Sequence, residues 1–566
     1  MKKIIYSIII SLVFSSAAMA AAVDYEARMD SLTRAFLAHC DGKVPAGFSM
    51  NADSTTHVNL QEFFTDTVAK RYFEEMGKCI MGQEAVRKGI KMEVKDVKME
   101  PMQHSEYAQL SVASDGRKRA VAFPQISFCT AIPYNYQSVD GQNNPVWLSS
   151  VMYRPSPFQF NLSSELGFWT LSGVGMVANL IESIKGLWNL AFGYTVNYGV
   201  LNCHPTVFTS LQAPTGADPL DKDVSMFCSN YALVVSPDYC GYGLSGHKQH
   251  PYLVQGVTAR NVIDGYVAAL NLVDNGDVQG SVVRWKLSKD FYTDIMGYSQ
   301  GGSVALACVK YLESGQVPQH TLDRINLHDT YCGDGPYSPY ATLTQYIDWV
   351  NGDSEKYRKL AYPCVLPLIL KAAKDAYAGD CMRTMDEESF FSEEFLATGI
   401  IDLVERKQLT SDEINDVVFN HGLTRIDQMV NKKVLTRTKV IENGKEVEKV
   451  AFNTSSTEFR CLMRALEMND LTKGWSPKHN ILFMHYTGDE VVPSRNMEMA
   501  KNNLLSTGGA KLKFVDHNKV KEQLTPVWSV VNSQLIDAFT NPDHAKMGKF
   551  FYVAAASGAL KELLHK

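Results

Sequence analysis

Short apolar runs of strand length alternate with longer amphipathic stretches from about residue 121 to the end of the chain. Two apolar runs, 121–138 and 145–155, flank the polar turn VDGQNN, and this pattern predicts an antiparallel pair. Further strand-like runs lie at 198–203, 231–237, 291–297, 325–333 and 479–488. The stretches 258–273 and 301–314 have the length and pattern of helices that cross between parallel strands. The pattern therefore predicts an α/β fold whose mostly parallel sheet opens with antiparallel strands.

Helical stretches replace the strand pattern between about 338 and 475, where LPLILKAAKDAYAG and SDEINDVVFNHG are examples. We therefore expect a helical cap inserted into the sheet domain, which divides the core into 121–337 and 476–566. Residues 21–120 mix amphipathic helical stretches with polar segments and carry no motif that indicates chemistry. They are predicted to form an N-terminal accessory region.

The first twenty residues have the pattern of a secretory signal peptide. A basic start, MKK, precedes a short apolar run that ends at Ala18, Met19 and Ala20, in the A-x-A arrangement that signal peptidase accepts. Cleavage near Ala20 would leave 566 − 20 = 546 residues, exported to the periplasm or secreted. An uncleaved membrane anchor is the alternative, but the apolar run is short for a spanning helix.

Composition excludes several other classes of function. Lys and Arg number 55 and Asp and Glu 61, which gives a net charge of −6 without a basic block, so no nucleic-acid partner is expected. None of the eleven cysteines lies in a CxxC motif or in a cluster with zinc-ligand spacing, so no metal is predicted. Cys364 and Cys381 are the best candidates for a disulfide; buried free thiols are the alternative.

One motif carries chemistry. Gly297, Ser299 and Gly301 form a G-x-S-x-G sequence between a predicted strand and a helix of small residues. At such a turn the serine takes a strained backbone conformation, and the flanking glycines allow the strand and the helix to approach closely. Ser299 is therefore the predicted nucleophile, with the backbone N–H of Gln300 directed at the developing oxyanion.

A serine nucleophile needs a histidine base and a carboxylate that orients the histidine. In this type of sheet both follow the serine along the chain, the acid first. Asp489, just past a predicted strand, is the predicted acid, and Glu490 is its adjacent rival. Only three histidines follow the acid, and His544, in a polar loop before an apolar helix, is the predicted base. The other two are His517, expected to end a strand, and His565, expected to fray at the terminus.

The second oxyanion donor is expected in the loop after the strand that ends at Cys203. Pro205 has no N–H to donate, so Thr206 is the predicted donor. His204 is a candidate substrate-binding residue or buttress, and a structural role for it is an equal alternative.

A further apolar segment, 166–195, has Glu182 and Lys185 as its only charges. Its glycines and this charged pair argue against a membrane span, so we expect a segment that covers the active-site mouth or packs under the cap. Trp169 and Trp188 are the candidate contacts with an acyl chain or a lipid surface. Plain core packing is the alternative.

These residues together resemble the α/β-hydrolase superfamily, and more narrowly the secreted lipases and carboxylesterases with a GYSQGG serine motif. The resemblance covers 121–566 and includes the sequences SSVMYRP, SPDYCGYGLSG, CGDGPYSP and HYTGDEVVP. It implies Ser299 as nucleophile, Asp489 as acid, His544 as base and an ester substrate, and for such an enzyme we expect no metal or organic cofactor. The sequence departs from the family at HPT, 204–206, where relatives commonly have a glycine turn.

The sequence therefore predicts a secreted serine ester hydrolase that acts on a small-molecule or lipid ester through an acyl-enzyme. A serine peptidase of the prolyl-oligopeptidase type is one alternative, although about a hundred non-repetitive residues before the sheet cannot build its propeller. A surface binding protein with the same fold and no chemistry is the other.

Overall fold

The computed structural model describes residues 105–114, 122–155, 194–216, 227–228, 231–274, 285–376, 381–442, 444–505, 511–523, 538 and 541–566. All of them lie in the unit Ser105–Lys566.

Eleven strands form two sheets in the described residues. The strands are β1 Ser105–Ser114, β2 Ala122–Val139, β3 Pro145–Pro155, β4 Tyr194–Cys203, β5 Leu233–Pro237, β6 Trp285–Tyr298, β7 Leu327–Gly333, β8 Leu435–Glu442, β9 Lys445–Phe452, β10 Asn480–His485 and β11 Leu512–Asp516. Nine of them form one sheet in the order β1-β2-β3-β5-β4-β6-β7-β10-β11, and β8 pairs with β9. The pairs from β1 to β5 along this order are antiparallel, and those from β5 to β11 are parallel.

The predicted fold class is confirmed, and two of its details need correction. The strand β1 falls within the range 21–120 predicted as an accessory region, although its backbone pairs with β2 along the whole of Ser105–Ser114. The hairpin β8–β9 lies within 338–475, where only helices were expected. Strand β1 and the two strands of the hairpin are rich in polar and charged residues, so none of the three has the apolar signal of a core strand.

Fifteen α-helices accompany these sheets in the described ranges. They are α1 Gln255–Asp274, α2 Gln300–Leu312, α3 Gln319–Ile325, α4 Pro339–Asn351, α5 Glu355–Arg358, α6 Val365–Ala376, α7 Glu393–Leu396, α8 Ile400–Arg406, α9 Ser411–Asn420, α10 Ile426–Met429, α11 Thr457–Met468, α12 Arg495–Leu504, α13 His517–Gln523, α14 His544–Ala556 and α15 Ala559–His565. Among these helices, none is long and apolar enough to span a bilayer.

The core forms where alternate strand residues meet helices on both sides of the sheet. Val200 and Met296 belong to one buried cluster with Phe550 and Phe551 of α14. On β4, Gly199 precedes Val200 and faces Tyr266 of α1, so the other side of the sheet packs on α1. Because helices cover both faces of the sheet, β5, β10 and residues 198–203 of β4 are mostly apolar, which is why the sequence reveals them.

A second buried cluster joins the insertion between β7 and β10, which comprises α4 to α11 and the hairpin β8–β9, to Phe208 and residues 252–254 of the core. Cys381 and Cys461 form a disulfide within this insertion. The predicted pair of Cys364 with Cys381 is therefore wrong, and Cys364 is a buried free thiol. The disulfide joins residues 80 positions apart, a separation that sequence spacing alone does not reveal.

We expect reduction of this disulfide to loosen the insertion. A cross-link over a separation of 80 residues stabilises mainly by restricting the unfolded chain, and its loss should lower the free energy of unfolding by about 2–4 kcal/mol. The measurement is thermal and urea unfolding with and without dithiothreitol. The Cys381→Ala, Cys461→Ala double variant should unfold like the reduced protein and show no further response to the reductant. An unchanged transition on reduction would contradict the prediction.

Candidate active site

Ser299 lies at the sharp turn between β6 and α2, with a φ of 57° that places its backbone in the left-handed region. Its N–H donates to the carbonyl of Gly333 on β7 at 2.9 Å, which ties the turn to the neighbouring strand. At Gly301 a Cβ atom would lie 1.9 Å from the carbonyl oxygen of Cys203. Only glycine therefore lets α2 start so close to β4, as the G-x-S-x-G pattern predicts.

The three residues of the predicted triad form one chain of hydrogen bonds. Ser299 Oγ lies 2.8 Å from His544 Nε2, and His544 Nδ1 lies 2.6 Å from Asp489 Oδ2. The N–H groups of Val491 and Val492 both donate to Asp489 Oδ1 at 2.8 Å. These bonds fix the carboxylate, which in turn holds the proton on Nδ1 and leaves Nε2 free to accept the serine proton.

The rival residues occupy other places. Glu490 accepts from the backbone N–H of His544 at 3.2 Å, not from its ring. His517 packs edge-on against Tyr486. His565 was expected to fray, yet it ends α15 and bonds Asp329 at 2.8 Å, near the opposite end of the strands.

Charge around His544 favours its protonated form. Burial is the largest single effect and lowers the pKa of the imidazole, but the charge and hydrogen bond of Asp489, together with the charges of Asp334 and Glu490, raise the pKa above its usual range. The base would therefore lose its function as the pH falls through this raised pKa.

Behind the triad, two further buried groups form an ion pair. His485 Nδ1 lies 3.0 Å from Asp334 Oδ1, and neither side chain is exposed. Burial would raise the pKa of Asp334, but His485 holds it below its usual range. Asp334, His485 and Asp489 place three ligand atoms within 4.8 Å of one another, as do His328, Asp329 and His565. In both clusters a histidine already pairs with an aspartate.

The predicted oxyanion donors lie around the serine. Gln300 is the first residue of α2, so its N–H has no partner within the helix. Thr206 lines the same cavity as Ser299. His204 is buried and stacks on Tyr239 at 3.8 Å, and it is not among the described residues that line the cavity. The role of His204 as a buttress of the loop stays a prediction.

A cavity of about 390 Å³ opens from Ser299 and His544 into the insertion. Part of its lining consists of apolar side chains of α6, α11 and the segment before β8, namely Val365, Leu366, Ile369, Leu370, Val430, Val434, Leu462 and Leu466. Sequence reasoning missed these residues individually, because an apolar face on a helix looks the same whether it packs in a core or lines a cavity. The candidate contacts Trp169 and Trp188 lie outside the described residues.

Comparison of folds finds the rice cell wall degrading esterase LipA from Xanthomonas oryzae as a structural neighbour. The TM-score is 0.51 and the sequence identity 18%, over 81% of this chain and 98% of that chain. A ligand-bound form of the same esterase gives the same values. No protein-family model matches the chain, and no curated protein does. With the strand order described above, the structural similarity shows that the chain has an α/β-hydrolase fold.

The electrostatics predict how the His544 ring titrates. In the native protein its pKa should lie above the usual value of about 6.5, and in Asp489→Asn it should fall from the native value, because the strongest of the charges that oppose burial is then removed. The measurement is an NMR titration with ¹⁵N-labelled histidine. Glu490→Gln is the matched control and should shift the pKa much less. Equal shifts in the two variants would contradict the assignment of Asp489 as the ring's partner.

Proposed function

We propose that this protein is a serine ester hydrolase that acts on esters with an apolar acyl group. The observation that carries the proposal is the continuous chain Ser299, His544, Asp489 at the mouth of an apolar cavity. A hydroxyl beside a base that a buried carboxylate orients is suited to nucleophilic attack on a carbonyl carbon.

The reaction follows from this geometry. Ser299 Oγ attacks the ester carbonyl while His544 Nε2 accepts its proton, and Asp489 stabilises the imidazolium. The N–H groups of Gln300 and Thr206 stabilise the oxyanion of the tetrahedral intermediate. His544 then protonates the departing alcohol, and a water activated by the same ring hydrolyses the acyl-enzyme. No step requires a metal or an organic cofactor.

The cavity favours the acyl part of the substrate as its occupant. Its lining includes Ser299 and His544 together with many aliphatic side chains, and its volume of about 390 Å³ lies within the range typical of small-molecule sites. An alkyl chain would bury its methylenes there, each worth about 0.8 kcal/mol. The substrate class we propose is therefore a lipid ester or a small-molecule ester with an extended alkyl chain.

The domain organisation and the cellular location belong to the same proposal. Residues 338–475 would act as the cap that shapes the acyl site, between the two parts of the core. The signal peptide 1–20 would direct the enzyme to the periplasm or the medium, where such esters are accessible. Cleavage after Ala20 is testable by N-terminal sequencing of the exported protein.

Removal of the nucleophile or the base should abolish turnover. Ser299→Ala and His544→Ala should each lower kcat by about 10⁴-fold or more, and the double variant should lose little beyond either single variant, because the triad acts as a unit. A fluorophosphonate should label the native protein and not Ser299→Ala. Labelling of Ser299→Ala, or independent losses in the double variant, would contradict the proposal.

The apolar cavity predicts a preference for long acyl chains. Across nitrophenyl esters from acetyl to palmitoyl, kcat/KM should rise with chain length until the cavity is filled. Ile369→Trp should lower kcat/KM for the longest esters by about tenfold and leave the acetyl ester unchanged, because the indole would occupy the space of several methylenes. Ile441→Trp, at a position 80% exposed on the hairpin, is the matched control.

The same panel should include a prolyl-peptide amide. Faster cleavage of the amide than of every ester would favour the prolyl-oligopeptidase alternative. A lack of turnover with every substrate, and of phosphonate labelling, would favour the binding protein.

A further inference from the structure

The loop between β5 and α1 contacts both proposed oxyanion donors through side chains two residues apart. His250 Nε2 lies 2.9 Å from the side-chain nitrogen of Gln300. Tyr252 Oη lies 3.2 Å from Thr206 Oγ1. His250 and Tyr252 are both buried. One short segment is thus hydrogen-bonded to residues on both sides of the proposed oxyanion hole.

The state of the His250 ring follows from its other contact. Its Nδ1 lies 2.8 Å from the backbone carbonyl of Cys240, which only accepts, so Nδ1 must carry the proton. Burial lowers the pKa of His250 to about 3, so the ring is neutral at physiological pH. Its Nε2 is therefore an acceptor, and the Gln300 amide donates to it.

The hydrogen bond between His250 and Gln300 affects the position of the Gln300 backbone N–H, the proposed oxyanion donor. The Gln300 side chain shares its Cα with the N–H that would face the oxyanion, so anchoring the side chain restricts rotation of that peptide. The amide oxygen of Gln300 has no hydrogen-bond partner among the described residues, which leaves His250 as the contact that orients the amide. An oxyanion donor acts only if it is held in place before the charge develops.

The loop is itself held in place by the insertion. Lys407, which follows α8, donates to the carbonyls of Gly241 at 2.6 Å and of Gly246 and Lys248 at 2.8 Å. At Gly241, with a φ of +95°, a Cβ atom would lie 2.6 Å from His250 Cα. The backbone of Gly241, whose carbonyl Lys407 binds, therefore lies directly against the backbone of His250.

We propose that His250 and Tyr252 are positioning residues that align the oxyanion hole, His250 through Gln300 and Tyr252 through Thr206. This inference rests on the proposed function, since it names residues that tune the same reaction without contact with the reacting atoms.

The test compares His250→Leu with His250→Gln. The leucine removes the acceptor, and kcat should fall by about tenfold to a hundredfold with KM nearly unchanged, less than the loss of a donor itself. Glutamine can present an oxygen near the position of Nε2, so it should recover most of the loss. The affinity for an alkylboronic acid, whose tetrahedral adduct mimics the oxyanion, should fall in parallel with kcat.

Controls separate this role from a general loss of folding. His247→Leu makes the same change at an exposed position of the same loop and should leave kcat and boronate affinity as in the native protein. Tyr252→Phe should lower kcat about threefold to tenfold, since it removes one hydrogen bond of ordinary strength. The double variant His250→Leu, Gln300→Leu should have the same kcat as Gln300→Leu alone, because each substitution removes the same hydrogen bond between His250 and Gln300.

The outcomes also separate this inference from the proposed function. If the phosphonate labels Ser299 and esters turn over, but His250→Leu keeps its kcat and boronate affinity, the positioning role is overturned and the hydrolase stands. A fall in thermal stability with a raised KM and unchanged boronate affinity would likewise overturn it. If Ser299 is neither labelled nor required, the proposed function itself fails.

Discussion

The close approach of three backbone segments around Ser299 is the constraint on which the site depends. The start of α2 lies so near the end of β4 that a Cβ at Gly301 would overlap the Cys203 carbonyl, and the Ser299 N–H is bonded to β7. Holding a serine at a φ of 57° costs about 1–3 kcal/mol, which the packed sheet must offset. In return the hydroxyl projects beyond the sheet, and the first free N–H of α2 lies beside it. The other side chains of the site are arranged around the Ser299 hydroxyl.

The order of the strands in the sheet brings the proposed base and acid close to Ser299. β10 lies next to β7, which lies next to β6, so the loop after β10 brings Asp489 to the same edge as Ser299. His544 begins α14, which packs on the sheet, and its backbone carbonyl accepts from the Tyr298 hydroxyl at 2.6 Å. The imidazole is thus fixed from the backbone side as well as by the Asp489 carboxylate. Desolvation is the largest single effect on the ring, but the charge and hydrogen bond of Asp489, together with the charges of Asp334 and Glu490, outweigh it and raise the pKa, as a base that becomes cationic in the reaction requires.

The sequence pattern predicted the parts of the fold that depend on short stretches of chain. Strands β5 and β10 and the carboxyl-terminal halves of β4 and β6 are buried and mostly apolar, and the turn at Ser299 has a steric signature in its glycines, so both could be predicted from the sequence. The hairpin β8–β9 was missed although Asn443 and Gly444 stand between alternating runs, because charged residues interrupt both of its faces and neither carries a continuous apolar stripe. The partner of Cys381 and the role of His250 depend on contacts over 80 and 50 positions. Only the tertiary structure brings such residues together.

The insertion supplies both the wall of the cavity and the lysine that holds the loop of His250. The elements of the insertion pack together. Side chains of α6 and α11 belong to the same buried cluster, and the disulfide links Cys381 to Cys461 on α11. In the proposed enzyme, selection of the acyl chain and alignment of the oxyanion hole therefore share a support. A substitution that only narrows the cavity changes the preferred chain length. One that loosens the insertion releases Lys407 from the carbonyls of Gly241, Gly246 and Lys248 and lowers kcat for esters of every length.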